Sequence, residues 1–326
     1  MTIDRPTGDV GIARDAPADE IVSPAEAAAL ELTSEEVVSL DASLHDVGPS
    51  RSLASDAWRR FRRNRLAMAG LFIVIFLMVV AIVGPFLVQS PTEQEAYNLE
   101  PPTNQHWLGL DELGRDVLAR IVHGIRLSLF IGFVATAVET LIGILVGALA
   151  GWFGKFVDTV LMRFVDIVLG IPYLVLALAL ISVIGRGVTA VIITLAATAW
   201  LQTARTVRAG FLQVRELEYV EAAKAVGVPS RRIVWRHILA NVFQPVVVLV
   251  AVGIGSAILA EAALSFLGVG VQAPEPSLGV MIDDARAYFT ETPTLLIFPG
   301  LAIILTVLGF LLVGDGLRDA LDVKDA

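Results

Sequence analysis

LAMAGLFIVIFLMVVAIVGPFLV, residues 66–88, runs for 23 positions without a charged side chain. At about 1.5 Å of rise per residue, a helix of that length crosses the roughly 30 Å hydrocarbon core of a bilayer. Working outward, five further runs pass the same test: Leu127 to Phe153 interrupted by Glu139, Ile167 to Gly185, Gly187 to Ala204, Ile238 to Val271 interrupted by Glu261, and Thr292 to Gly314. The third has a short charge-free core and is expected to begin earlier, near Val157. The fold class read from this pattern is all-α, a polytopic membrane protein with six transmembrane helices. With 56% hydrophobic and 17% charged residues, the chain is too apolar for ordinary soluble domains, and lipid must cover the excess.

Orientation follows from the Lys/Arg bias of the loops. Arg59, Arg60, Arg62, Arg63 and Arg65 precede the first span, Lys155 and Arg163 lie between the second and third, Arg205 to Arg236 between the fourth and fifth, and Arg318 and Lys324 after the sixth. That side carries 16 cations and the other only 5, so both termini are expected to be cytoplasmic. The net charge of −9 is local: the first 57 residues hold 12 acidic side chains against 3 arginines, and the remainder balances. No nucleic-acid-binding surface is implied. The absence of cysteine and the presence of only 4 histidines leave no metal site to propose.

Three regions result. Residues 1–57 read as an acidic, mostly disordered cytoplasmic tail without a secretory signal, in which 26–40 can form one short amphipathic helix. Residues 58–126 hold the first span and an extracytoplasmic segment, and 127–326 a five-helix core with a basic cytoplasmic loop at about 211–241.

Within the spans, Gly143, Gly147 and Gly151 form two successive GxxxG steps, which let helix backbones approach closely. Pro172, Pro245 and Pro299 fall in or at the ends of the third, fifth and sixth spans, where neighbouring protein must satisfy the freed carbonyls. Glu139 and Glu261 are the carboxylates well inside apolar runs. Each is either a packing residue or a candidate for the transport pathway. Two such groups are sparse for the relay that an ion-driven carrier needs.

The loop reads ELEYVEAAKAVGVPSRRIVWRHILAN over 216–241. Glu216, Glu218 and Glu221 come early and Lys224 late, matching the helix dipole, and Gly227 stops the helix before Val228-Pro229. Ser230 is placed to cap a second helix through Arg231, Arg232 and Arg236, giving helix, turn, helix. Ala222, Ala223 and Ala225, with Leu217 and Val220 spaced for one face, suit insertion into another protein's groove.

Glu221-Ala222-Ala223, Gly227 and Ile238-Leu239 resemble the EAA motif of ATP-binding-cassette importer permeases, and 218–241 is similar to the dipeptide, oligopeptide and nickel branch, the C-type permease of the pair. Ala240 stands where that branch has Pro. His106-Trp107-Leu108-Gly109, Asp111, Leu113 to Leu118, Arg120 and Gly124 to Leu129 resemble the segment entering the second span. Leu259 to Ala262 with Leu264 to Gly268 resemble the fifth span, and Gly314 to Asp322 the C-terminal end. The resemblance covers about 58–324 and leaves the acidic tail outside.

The resemblance implies a permease that forms half of a peptide pathway with a homologous subunit, takes cargo from an extracytoplasmic substrate-binding protein, and docks on one or two cytoplasmic ATPase subunits. Glu221, Ala222, Ala223, Lys224, Gly227, Arg231 and Arg232 are then the docking residues. ATP and Mg belong to the partner, since the chain has no phosphate loop: Gly154-Lys155 is followed by Phe156. The chain itself is expected to be no enzyme and to hold no cofactor, in a bacterial or archaeal plasma membrane. Asp111, Arg115, Asp116 and Arg120 either contact the binding protein or pair with each other in an interfacial helix. Three alternatives stay open: a stand-alone secondary transporter or channel, a scaffold whose loop recruits a partner, and nickel or another small solute as cargo.

Overall fold

The computed structural model describes residues 53–95 and 99–322; the acidic tail and its candidate helix at 26–40 lie outside the described residues. The architecture is helical: α1 Leu53–Arg63, α2 Arg65–Val83, α3 Val117–Phe153, α4 Lys155–Leu169, α5 Tyr173–Ile184, α6 Val188–Val214, α7 Glu218–Ala225, α8 Ser230–Phe266, α9 Leu278–Ala285 and α10 Thr294–Leu321. Among the described residues, extended pairing is limited to isolated bridges from Leu110 to Glu100 and to Asp116.

Helices α2, α3, α6, α8 and α10 are each long and apolar enough to cross a membrane, and α4 with α5 makes a sixth if the bent pair counts as one span. The third span starts at Lys155, close to the earlier beginning expected near Val157, but it is two helices and not the single run to Gly185 read from the sequence. It turns by 94° between Leu169 and Tyr173. Gly170 ends α4, Ile171 precedes a proline and is disfavoured in helical geometry, and Pro172 has no N–H to continue the ladder. The fifth span also differs, since its helix begins at Ser230 rather than Ile238. It passes through a wider π-helical segment, Ile233–Ile238, on the way.

The glycines of the GxxxG steps pack α3 on α6. A methyl added at Gly143 would lie 2.6 Å from Thr203 Cβ, and one at Gly147 would lie 2.5 Å from the Ala204 carbonyl oxygen. Close backbone approach of this kind replaces the hydrophobic drive that lipid removes. Helix α2 is peripheral, with Phe72, Ile75, Phe76, Val79 and Ile82 exposed where lipid would cover them. Its inner edge sits on α10, where Gly70 meets Leu312 and Gly309 meets Ile73.

The two described ends of the chain meet at one end of the bundle. Phe61, Ala67 and Ala320 share a buried cluster. Asn64 caps α2 by accepting from the Leu66 and Ala67 amides, at 3.0 and 3.2 Å, and its own amide donates to Asp319 at 3.2 Å. Arg60 donates to the Asp322 carbonyl at 3.0 Å.

Candidate docking site and intramembrane carboxylates

Helix α7 is short; Val220 is its buried anchor, and the Asn241 amide of α8 donates to the Tyr219 hydroxyl at 3.1 Å. Val220 is fully buried among Val207, Phe211, Ile233, Ile238 and Val242, which come from α6 and the start of α8. The helix ends in a Schellman turn: the Gly227 amide donates to the Lys224 carbonyl and the Val228 amide to the Ala223 carbonyl, both at 3.0 Å. Gly227 has φ +82°, and a methyl there would meet nothing within 4 Å. A side chain is thus resisted by the left-handed backbone and not by lack of space.

The anchored helix presents Glu221, Ala222, Lys224, Ala225, Val226 and Gly227 to the outside, with Ala223 half-buried. Val226 is 85% exposed. Leu217, expected on the same face as Val220, is instead exposed at the helix start. No ion pair joins Glu221 to Lys224 among the described residues. Lys224 Nζ instead donates to the Arg215 carbonyl at 3.4 Å and lies 6.0 Å from the Trp152 ring centre.

Ser230 does not cap the second helix. Pro229, with φ −62° and ψ 137°, occupies the capping position, and no side chain bonds the first turn. Arg231 and Arg232 are exposed in that turn, and the helix continues through Ala240 into the membrane as α8. The second helix is therefore the beginning of the fifth span, so a displacement of α7 can reach the span through continuous backbone.

Two acidic residues that the sequence reading passed over hold the neighbouring bent span. Asp158 takes two hydrogen bonds from Arg208, one of them at 2.6 Å, and Asp166 pairs with Arg205. The spacing carried a signal: 158 and 166 share one face of α4, and 205 and 208 share one face of α6.

At the opposite end of the bundle, Asp111 and Arg115 of the loop before α3 meet Arg120 of its first turn in a buried cluster, and no separate interfacial helix holds them. Arg115 Nε donates to Asp111 at 2.7 Å, Arg120 pairs with the same carboxylate, and Arg120 reaches Asp284 of α9 at 3.4 Å. The other Asp111 oxygen accepts the Leu113 and Arg115 amides at 3.0 and 2.9 Å. Asp111, Arg115 and Arg120 are all buried, which withdraws these side chains from the outer surface of this chain. Asp116 caps α3 through the Ala119 amide at 2.8 Å. It also holds His106 Nδ1 at 3.0 Å, while Glu95 lies 3.1 Å from His106 Nε2. The hydrogen bond to Asp116 raises the His106 pKa above its ordinary value, against the opposing effect of burial. Burial likewise raises the pKa of the neighbouring Glu112.

The two intramembrane glutamates differ. Glu261 is fully buried and accepts three hydroxyls: Ser128 of α3 at 2.9 Å, Ser265 at 2.8 Å and Ser277 at 2.7 Å. Ser277 in turn caps α9, and Ser265 accepts the Val271 amide at 3.1 Å, so one carboxylate knots α3, α8 and α9. Glu139 is also buried, but its Oε2 has no hydrogen-bond partner among the described residues.

Residues 143–324 match the family described as binding-protein-dependent transport system inner membrane component, and 52–102 match the N-terminal TM domain of oligopeptide transport permease C. The chain is 44% identical over 289 residues to the dipeptide transport system permease protein DppC of Bacillus subtilis, covering 85% of this chain and 87% of that one. It is 40% identical over 279 residues to the oligopeptide transport system permease protein OppC of the same organism, covering 84% and 91%. A solved structure of the MetNI methionine ABC transporter in an inward-facing conformation is similar in fold, with a TM-score of 0.50 at 20% identity over 62% of this chain and 96% of that one.

Proposed function

The chain belongs to the family of binding-protein-dependent transport system inner membrane components, and from that membership we propose that it forms one half of the membrane pathway of an ATP-driven peptide importer. The other half is a homologous permease subunit. An extracytoplasmic binding protein delivers the peptide, and one or two separate cytoplasmic ATPase subunits bind ATP and Mg. Both termini face the cytoplasm of a bacterial or archaeal cell, as the Lys/Arg bias of the loops favours.

The observation that carries the reading is the exposed turn Glu221 to Gly227, fixed to the bundle through Val220 and followed directly by the helix of the fifth span. Glu221, Ala222, Ala223, Lys224 and Gly227 form the docking element, and Arg231 and Arg232 flank it. ATP-driven closure of the ATPase pair can bias the membrane helices only through a contact that differs between two states. A small-residue helix seated in a groove of the ATPase supplies such a contact, and α8 carries its movement into the membrane. The names of the dipeptide and oligopeptide relatives support peptides as cargo.

Purification of the assembly from native membrane through a tag on this chain, followed by reconstitution in liposomes, tests the proposal. The expected result is co-purification of a second permease and an ATPase, with peptide uptake that requires ATP and loaded binding protein. Uptake by this chain alone, driven by an ion gradient, would contradict it.

A further inference from the structure

Glu139 lines a cavity of about 290 Å³ walled by α3, α5, α6 and α8, together with Tyr173, Gln202, Thr203 and Ser256; the rest of the wall is apolar. Glycine at 253 makes room for the carboxylate, since a methyl there would lie 3.0 Å from Glu139 Oε1. Glu139 is only 6% exposed, and its Oε2 lacks a hydrogen-bond donor among the described residues. Glu261, by contrast, has three donors. A buried carboxyl oxygen without a partner is either held neutral by a proton or completed by a water, ion or ligand that enters the cavity.

The cavity mouth shows where that donor comes from. Gln202 and Ser256 are exposed on this chain, near the middle of α6 and within the apolar part of α8. The Ser256 hydroxyl is satisfied by the Val252 carbonyl of its own helix at 3.1 Å, but a glutamine amide such as that of Gln202 is costly to present to lipid at that depth and faces a partner or a watered pathway. The cavity thus opens to the side where the second half of the pathway would stand. Its volume is at the lower end of the roughly 300–1,000 Å³ typical of ligand pockets, which suits one end of a small solute more than the whole of a long one.

We propose that the Glu139 cavity is a transit site for a protonated amine, the α-ammonium of a peptide passing through the pathway. This rests on the peptide-importer reading above. The ammonium donates to Glu139 Oε2, Gln202 and Ser256 offer further partners at the mouth, and the apolar wall takes the first side chain. An ammonium entering the cavity supplies the positive partner that lets the buried carboxyl ionise, so a cationic end is favoured over a neutral one through charge-assisted hydrogen bonding. The site is a station on the route and leaves first selection to the binding protein.

The intact assembly in ATP-loaded liposomes tests this, with dipeptide uptake and ATP hydrolysis followed together. Glu139→Gln should slow uptake at saturating loaded binding protein at least tenfold while stimulation of ATP hydrolysis persists, and Glu139→Asp should recover part of the rate. Ser256→Lys, at an exposed position, places a resident ammonium at the mouth and should block uptake in the same way. Wild-type uptake should be unchanged when choline replaces sodium and potassium. Uptake by Glu139→Gln and Ser256→Lys within twofold of wild type would overturn the proposal, as would parallel loss of uptake and stimulated hydrolysis in both. A requirement for a metal cation would also overturn it, by giving the site to an inorganic ion. Failure of the importer reading shows separately, as wild-type assembly that takes up no peptide with ATP.

Discussion

The Ser277 hydroxyl donates to Glu261 at 2.7 Å while accepting the Gly279 amide at 3.2 Å, so the cap of α9 and the buried carboxylate of α8 share one oxygen. With Ser128 and Ser265 on the same carboxylate, Glu261 is a structural centre among three helices. Glu261→Ala removes the acceptor of three buried hydroxyls, at about 1 kcal/mol or more each. The thermal midpoint of the detergent-solubilised assembly should fall by roughly 5–10 °C. Glu261→Gln, which keeps one oxygen, should fall by less than half as much.

Gly227 sits at φ +82° in open space, so the residue types it accepts should follow backbone conformation and not size. Gly227→Asn should be tolerated, and Gly227→Ala should weaken the turn by about 1 kcal/mol. Gly227→Pro loses both the conformation and the N–H bond to Lys224, and should abolish ATP-driven uptake. Membrane abundance, measured by immunoblot beside uptake, should stay near wild type for all three.

Glu221 is exposed and makes no ion pair with Lys224 among the described residues. Glu221→Lys should therefore change stability by no more than about 0.5 kcal/mol, as surface substitutions usually do. A fall in uptake of tenfold or more with unchanged thermal midpoint is expected if the side chain acts at the ATPase contact. Wild-type uptake would remove Glu221 from the docking element.

Asp111 and Arg120 are 5% and 4% exposed and pair directly. Arg120→Ala leaves a buried carboxylate partly compensated by Arg115, and Asp111→Ala strips two arginines and two backbone amides at once. Breaking such a pair costs about 3–5 kcal/mol. Asp111→Ala should be the more destabilising, and limited proteolysis within 99–116 should report it first.

His106 gives the loop at this end a pH dependence. Its pKa is raised in the folded state, chiefly by the hydrogen bond to Asp116, so its stabilising contribution is complete below the ordinary value of 6.5 and is lost as pH rises through the raised one. Glu95 is 39% exposed, and its share is screened by solvent. Corrected for intrinsic rate, hydrogen exchange of residues 99–116 should quicken as pH rises above about 6.5 in wild type. In His106→Gln the exchange, corrected for intrinsic rate, should lose that dependence.

Several parts of this structure were legible because the signal is local. Apolar length marks the spans, the GxxxG spacing of Gly143, Gly147 and Gly151 marks the face that meets α6, and Gly227 before Val228-Pro229 marks a helix stop. What depends on distant partners was not legible. Hydropathy along 155–185 records that the chain is in lipid and carries no direction, so the 94° bend at Gly170 to Pro172 was read as one run. Arg205 and Arg208 counted as loop cations, yet they close on Asp166 and Asp158 across 39 and 50 residues. Ser230 has the chemistry of a cap, but Pro229 before it takes the extended position that a cap requires. Glu139 and Glu261 read alike in sequence; only packing gives three hydroxyls to one and a cavity to the other.

The chain contains no cysteine, so a thiol placed at Ala222 is unique in this subunit. Cross-linking of Ala222→Cys to a cysteine scanned along the ATPase surface, within the assembled transporter, is the most direct test of the docking element. The account predicts a specific cross-link between Ala222→Cys and the ATPase, with a yield that changes on ATP binding, and none from Trp107→Cys at the opposite end. Absence of any cross-link from Ala222→Cys in an assembly that still imports peptide would contradict it.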